Sequence, residues 1–291
     1  MSGRRIILCA DDYGISPGVS AAIRELIARG RINATSVMVV APSFSRSEAD
    51  ALRAAVATHG AIGLHVTLTA PFAPLSKSFA PLYRGAFLSL STMLLRAHLR
   101  SLRPARLAAE ISSQLEAFKR AFGRPPDFVD GHQHVQLFPQ VRGVFLRVVK
   151  DAAPNAWVRK CERPAQATRA AGPKALLLDR QSIRFGHLAA KHSVRTNPAF
   201  AGSYAFRPHA DYAALFPSFL DGMPDGGLIM CHPGKVDAEL ERLDSLTGLR
   251  EREYEFFLSD DFPRLLAARG VALALASSAH SRESGNPAGT N

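Results

Sequence analysis

The fold is decided near the start of the chain, where residues 5–12 read Arg-Ile-Ile-Leu-Cys-Ala-Asp-Asp. This short run of mostly aliphatic residues predicts a buried strand at Arg5–Ala10. Two acids follow at the point where the strand ends. Because the carboxyl ends of the strands form the active-site face of parallel α/β folds, Asp11 and Asp12 are the first candidate site residues.

Similar apolar runs recur along the chain and alternate with helical patterns. They predict further strands at Thr35–Val40, Ala61–Thr67, Asp127–Asp130, Ala156–Arg159, Gly227–Cys231 and Val271–Leu275. The helical patterns lie at Pro17–Arg29, Ser45–Thr58, Ala105–Phe122, Val141–Lys150, Pro208–Leu220 and Leu249–Ala268. Such alternation implies parallel pairing through right-handed crossovers. We therefore expect an α/β fold with about seven parallel strands, and we favour a barrel over an open sheet.

Two stretches, near residues 70–102 and 163–207, interrupt the alternation. Both are interpreted as insertions over one end of the barrel, where substrate walls usually form. Residues 1–276 are expected to form a single domain. Residues 277–291 contain Gly, Pro, Ser and Asn without periodicity, which predicts a disordered tail.

The composition, 47% hydrophobic and 21% charged, is that of a globular protein rather than a disordered one. The net charge is +11 and the pI is about 10.1. The densest basic stretch, Arg96–Arg106, lacks the interleaved aromatic residues that stack on bases, and no nucleic-acid-binding motif accompanies it. We therefore expect no nucleic-acid partner, while proximity of this stretch to a membrane surface is left open.

Cysteine usage and the first residues of the chain bear on the compartment. Cys9, Cys161 and Cys231 show neither CxxC nor paired spacing, which fits a reducing environment. The apolar run Ile6–Ala10 is too short for a signal-peptide core or a membrane span. These features predict a cytoplasmic protein with no transmembrane segment. A homodimer is left open.

Polar residues with catalytic chemistry also mark the ends of other predicted strands. His65 lies in the third strand, His132 and His134 follow the fourth, and His232 follows the sixth. Taken singly, each histidine could be a hydrogen-bonded core residue. Taken together, four segments bring acids and imidazoles to one rim of the sheet, which core packing alone does not explain.

Two imidazoles and one carboxylate are a typical ligand set for a catalytic divalent metal, with positions left for water and substrate. His65 and His132 are the candidate imidazoles, and His132 is preferred over its neighbour two residues along because it directly follows a glycine. One acid of the pair Asp11 and Asp12 would bind the metal, and the other would act on the water as general base.

Other residues are assigned to substrate binding or to support of the ligands. His134 is given either role, and Asp130 could orient a ligand imidazole through its other nitrogen. Arg159 could contact substrate or pair with a surface acid. Arg250 and Glu251 are expected to form an ion pair near the rim. Three aromatic residues could stack on a sugar, although such residues more often lie in the core, namely Trp157, Phe185 and Tyr204.

Four motifs resemble those of the YdjC-like carbohydrate deacetylases: ADDYG at residues 10–14, GLHVTL at 63–68, DGHQH at 130–134 and CHPG at 231–234. The resemblance extends over residues 5–276. This family includes chitooligosaccharide deacetylases and deacetylases associated with hopanoid biosynthesis. Tyr13 replaces the usual phenylalanine, a small departure that bears on substrate detail rather than on the chemistry.

The resemblance implies a deformed (β/α) barrel that uses one divalent metal ion, Mg²⁺ or Zn²⁺, to hydrolyse the N-acetyl group of an N-acetylglucosamine-type oligosaccharide or glycolipid. It also implies that Asp12, His65 and His132 bind the metal, that Asp11 is the base activating water at the metal, and that His232 protonates the leaving amine. Two alternatives remain open. One is a metal-dependent amidohydrolase or phosphoesterase with a non-sugar substrate, and the other is a non-catalytic sugar-binding protein, which the intact acid and imidazole set disfavours.

Overall fold

The protein is built around one parallel sheet, seen in a computed structural model that describes residues 3–57, 60–164, 173–207 and 209–273. The strands within these ranges are β1 (Arg4–Tyr13), β2 (Ala34–Val37), β3 (Ala61–Val66), β4 (Phe128–Gly131), β5 (Trp157–Val158), β6 (Phe200–Ala201), β7 (Gly227–Cys231) and β8 (Val271–Leu273). They lie in the order β5-β4-β3-β2-β1-β7-β6, and β8 pairs with β1. Every pairing between them is parallel.

Helices connect the strands in the described part of the chain. They are α1 (Pro17–Ala28), α2 (Arg46–Val56), α3 (Leu90–His98), α4 (Pro104–Phe122), α5 (Val141–Ala152), α6 (Pro173–Lys191), α7 (Tyr212–Phe219), α8 (Ala238–Leu243), α9 (Gly248–Leu258) and α10 (Asp261–Ala268), with a 3-10 turn at His132–Leu137. None of the helices described is long and apolar enough to cross a bilayer.

The sheet curls until its two ends meet. Val158 of β5 bridges in parallel to Thr196, just before β6, and its N–H donates to the carbonyl of Arg195 at 2.9 Å. A flat sheet could not join β5 to the β6 side, because five strands lie between them in the sheet order. The predicted α/β fold is therefore confirmed as a single-domain deformed barrel.

Strand β1 lies in the core because its middle, Ile6–Ala10, is apolar and fully buried. Eight of its ten residues are buried, and it pairs with β2, β7 and β8. Helix α1 begins as expected, since the Ser16 hydroxyl accepts from the Val19 N–H at 3.3 Å and Pro17 occupies the first turn. These two elements set the position of Asp11 and Asp12, which lie near the carboxyl end of β1.

Several predicted boundaries are wrong. The pattern at Leu249–Ala268 is two helices, because the chain is extended at Ser259 and Pro263 is tolerated only in the first turn of a new helix. Helices α3 and α6 and strand β6 lie in the two stretches interpreted as insertions, and α8 was also missed. The predicted tail at residues 277–291 lies outside the described residues.

Candidate active site

A cavity of about 400 Å³ opens at the carboxyl ends of β1, β3, β4 and β7. Four strands that are separate in sequence converge there because the barrel brings their carboxyl ends to one rim. Six of the predicted site residues line it, namely Asp11, Asp12, His65, His132, His134 and His232. The other two, Asp130 and Arg159, are fully buried and do not appear in the cavity wall.

Both acids of the first motif face this cavity, which a regular strand would not allow. Successive side chains of a strand point to opposite faces. The register between β1 and β2 shifts between Ala10 and Tyr13, and Asp12 has a positive φ of 67°. This irregularity turns the Asp12 carboxylate into the cavity beside Asp11, as β-bulges next to active sites often do.

The three predicted metal ligands converge on one point. Asp12 Oδ1 lies 3.3 Å from His65 Nε2 and 3.0 Å from His132 Nδ1. One ligand atom from each of the three residues lies within 4.8 Å of the others. A carboxylate and two imidazoles at this spacing suit a single divalent ion of the first transition row.

The surroundings of His65 leave one nitrogen free for a cation. Its Nδ1 lies 2.6 Å from Asp130 Oδ1 and 3.0 Å from the Ser36 hydroxyl, so the carboxylate favours the proton on Nδ1 and leaves the Nε2 lone pair facing Asp12. Burial lowers the pKa of His65, but Asp130 and Asp11 outweigh it and raise the pKa to about 10. The metal-free ring therefore carries a second proton, on Nε2, and a bound cation would take the place of that proton.

The balance of buried formal charges also favours a cation at this site. Three carboxylates, Asp11, Asp12 and Asp130, face two guanidinium groups, Arg159 and Arg250, so one negative charge remains for the His65 imidazolium or a bound cation to compensate. A buried charge without a partner is costly. A bound divalent cation would compensate it.

Arg159 pairs with both carboxylate oxygens of Asp11. Its two terminal nitrogens each lie 2.6 Å from one oxygen of Asp11, and Nη2 also lies 2.6 Å from Asp130 Oδ2. Burial raises the pKa of Asp11, but Arg159 and the nearby histidines together outweigh burial and lower it to about 2. The expected alternative of a surface ion pair for Arg159 is wrong, because its side chain is completely buried.

Arg250 holds the other acid, and the expected pair with Glu251 is wrong. Its Nη2 lies 2.6 Å from Asp12 Oδ2 and 2.6 Å from Asp244 Oδ2, whereas Glu251 accepts from the Val236 N–H. Arg250 is 1% exposed, lines the cavity, and has no hydrogen-bond partner for Nη1 among the described residues. It therefore orients Asp12 so that Oδ1 faces the two imidazoles.

The two remaining histidines of the cavity are held as neutral rings. Burial, followed by Arg159, lowers the pKa of His134 to about 3, and burial lowers the pKa of His232 below its usual value. The backbone N–H of His232 donates to Glu253 Oε2 at 2.5 Å. Burial raises the pKa of Glu253 to about 7.

The aromatic wall of the cavity differs from the expected one. Trp157 and Phe185 are core residues, and the Tyr204 hydroxyl donates to Glu253 at 2.7 Å without lining the cavity. Phe206 is the aromatic residue in the wall, 43% exposed and edge-on to His232 at 5.7 Å. No periodic pattern marks Phe206 in the sequence, because it lies in an irregular segment.

Known proteins match this chain along nearly its whole length. The chitooligosaccharide deacetylase of Escherichia fergusonii is 27% identical over 279 residues, which cover 93% of this chain and 97% of that protein. A crystal structure from Enterococcus faecalis, described as a cellobiose-phosphate cleavage protein, shares the fold with a TM-score of 0.72 at 23% identity, covering 95% of this chain and 99% of that one. The model of the family described as YdjC-like protein matches residues 5–268. The chain therefore belongs to the YdjC-like protein family.

Proposed function

We propose that this protein is a metal-dependent hydrolase that removes the N-acetyl group from an N-acetylglucosamine-type oligosaccharide or glycolipid. One observation carries the proposal: Asp12, His65 and His132 converge within 4.8 Å in a cavity where Asp11 stands beside them. Its similarity along nearly the whole chain to a chitooligosaccharide deacetylase supports an acetylated amino sugar as the substrate.

The three converging residues would hold one divalent ion, Mg²⁺ or Zn²⁺. When bound, this ion polarises the substrate carbonyl and makes water more acidic. Asp130 orients His65, and Arg250 orients Asp12. Such supporting contacts typically change metal affinity or activity by about 10- to 100-fold when they are removed.

Asp11 acts as the general base that takes a proton from the attacking water. Its pKa of about 2, lowered by Arg159 and the nearby histidines against the effect of burial, keeps it ionised at neutral pH. The paired guanidinium fixes both oxygens, so the carboxylate meets the water in one orientation. The carbonyl carbon then gains an oxygen, and its bond to nitrogen breaks.

His232 relays the proton to the departing amine: as a neutral ring it first accepts the proton that Asp11 took from water, and then donates it to the nitrogen as the C–N bond breaks. It lines the same cavity as Asp11, and its Nδ1 has no hydrogen-bond partner among the described residues. The ring of Phe206 lies edge-on to it at 5.7 Å. Acetate and a free amino sugar are the products.

A direct test is to measure acetate and free amine released from N,N′-diacetylchitobiose by the metal-loaded protein. The parallel substrates are N-acetylglucosamine joined to a lipid, a non-sugar acetamide and a phosphate monoester. We expect equimolar acetate and amine from at least one of the two sugar substrates and turnover of neither parallel non-sugar compound. Phosphate release, or faster cleavage of the non-sugar amide, would overturn the proposed substrate class. No turnover of any substrate would favour a binding protein.

A further inference from the structure

A long segment of this chain carries no acidic residue. Between Asp50 and Glu110 the sequence has neither aspartate nor glutamate, while its lysine and arginine residues are Arg53, Lys77, Arg84, Arg96, Arg100, Arg103 and Arg106. The segment includes α3 and the loop before it. A same-sign stretch of this length indicates an anionic partner rather than an ordinary mixed surface.

Large apolar side chains are exposed on the same segment. Of the ten large hydrophobic residues exposed in the described part of the chain, six lie here, namely Leu75, Leu82, Tyr83, Leu90, Leu95 and Leu99. Leu95 and Leu99 are 58% and 68% exposed and lie four residues apart. Side chains at this spacing share a helix face. Exposed apolar groups clustered in this way usually mark an interaction site.

The arginines beside these leucines have no acidic partners. Among the described residues, Arg96, Arg100 and Arg103 form no ion pair, although many other arginines of the chain do. We call Leu95, Leu99 and these three arginines the α3 surface. It combines apolar side chains with positive charges that have no acidic partner. Helices that lie in a membrane interface have this composition.

The buried face of α3 packs against the core and fixes the position of the α3 surface. Met93 and Ala97 of α3 are buried in the core, and the helix is capped by the Ser89 hydroxyl, which accepts from Thr92 N–H. Just beyond the helix, the Leu102 N–H donates to the side chain of Gln140, which donates back to the Leu102 carbonyl. Leu95 and Leu99 are therefore presented outwards by a fixed support.

We propose that the α3 surface binds the surface of an anionic lipid bilayer. The leucines would enter the interface and the arginines would contact lipid phosphates. Nucleic acid fits less well because the most exposed apolar groups here, Leu95 and Leu99, are aliphatic and cannot stack on bases. A second copy fits less well because two surfaces of the same charge repel each other.

The α3 surface adjoins the candidate active site. Leu90, the first residue of α3, lines the cavity together with Asp12 and His132. A bilayer bound along α3 would therefore lie next to the cavity mouth. Binding itself does not depend on the reaction, so its test stands apart from the test of the proposed deacetylation.

The test is co-sedimentation of the full-length protein with phosphatidylcholine vesicles that contain either no anionic lipid or about 30% phosphatidylglycerol. We expect binding only to the anionic vesicles, weakened by salt. The double variants Leu95→Ser/Leu99→Ser and Arg100→Gln/Arg103→Gln should each bind at least about tenfold more weakly. Both should cleave soluble diacetylchitobiose at the wild-type rate, because none of these four residues lines the cavity.

Helix α6 offers a matched control. Leu176 and Leu177 are both 50% exposed there, and Leu176→Ser/Leu177→Ser should leave vesicle binding unchanged. Equal loss in this control would overturn the assignment to α3. Failure of the wild-type protein to bind anionic vesicles would overturn the proposal. Loss in the arginine variant alone would show attraction to any polyanion, and would also overturn the proposal.

Discussion

Replacing His132 with alanine is expected to lower the affinity for Zn²⁺ by more than about 100-fold, because loss of a direct ligand exceeds the effect of losing a supporting contact. Acetate release from the sugar substrate should fall by about 10³-fold or more, since both oxyanion stabilisation and water activation depend on the metal. Two of the three ligands remain in this variant, Asp12 and His65. Metal content after gel filtration and initial rates measure the two effects.

Two histidine variants serve as controls for this result. His98→Ala removes an exposed imidazole on α3 and should change neither metal content nor rate. His134→Ala removes a residue of the same cavity that lies outside the three-residue cluster, so it should keep the metal while changing the rate. Wild-type metal content and turnover in His132→Ala would show that the cluster is not the metal site.

Asp11→Asn is expected to keep the metal and to lower kcat by about 10²- to 10⁴-fold, the usual effect of removing a general base. Asparagine has nearly the same shape but cannot take up the proton. Arg159 keeps its contact with Asp130 at 2.6 Å, so the guanidinium is not left without a carboxylate. Some loss of thermal stability is expected because one buried ion pair disappears. Rates, metal content and melting temperature are the measurements.

Asp225→Asn provides the same chemical change outside the cavity. Asp225 pairs with Arg5 at the protein surface, 2.8 Å away, and its side chain is half exposed. This variant should retain the wild-type rate. An Asp11→Asn protein that is folded, metal-loaded and fully active would remove Asp11 from the role of base.

Much of the fold follows from local sequence patterns. The apolar run at Arg5–Ala10 is long enough for a buried strand, and its acids fall where the strand meets the rim. The same pattern in β3, β4 and β7 predicts the side on which His65, His132 and His232 lie. The spacing of apolar residues gives the strands, and the position of each polar residue at a strand end gives its side of the sheet. Because parallel strands align their carboxyl ends, these residues can be predicted to converge without knowledge of distant contacts.

The supporting residues could not be predicted in the same way. Arg250 reaches Asp12 across 238 residues of sequence, and Arg159 reaches Asp11 across 148. The local sequence around an arginine at a strand or helix end does not show whether its side chain faces solvent or a buried acid. Helices α3 and α6 do not follow from the sequence because apolar residues also occupy their exposed faces, for example Leu95 and Leu176, so neither shows the one-sided pattern of an amphipathic helix.

The central claim is that one divalent ion, bound by Asp12, His65 and His132, is required for removal of the acetyl group. The most direct measurement is acetate release by the chelator-treated protein as Zn²⁺ is added back in small steps, with His132→Ala treated in parallel. Activity absent from the metal-free protein and restored at about one equivalent, in the wild type alone, is the expected result for a single catalytic zinc site. Full activity without metal, or equal restoration in His132→Ala, would contradict it.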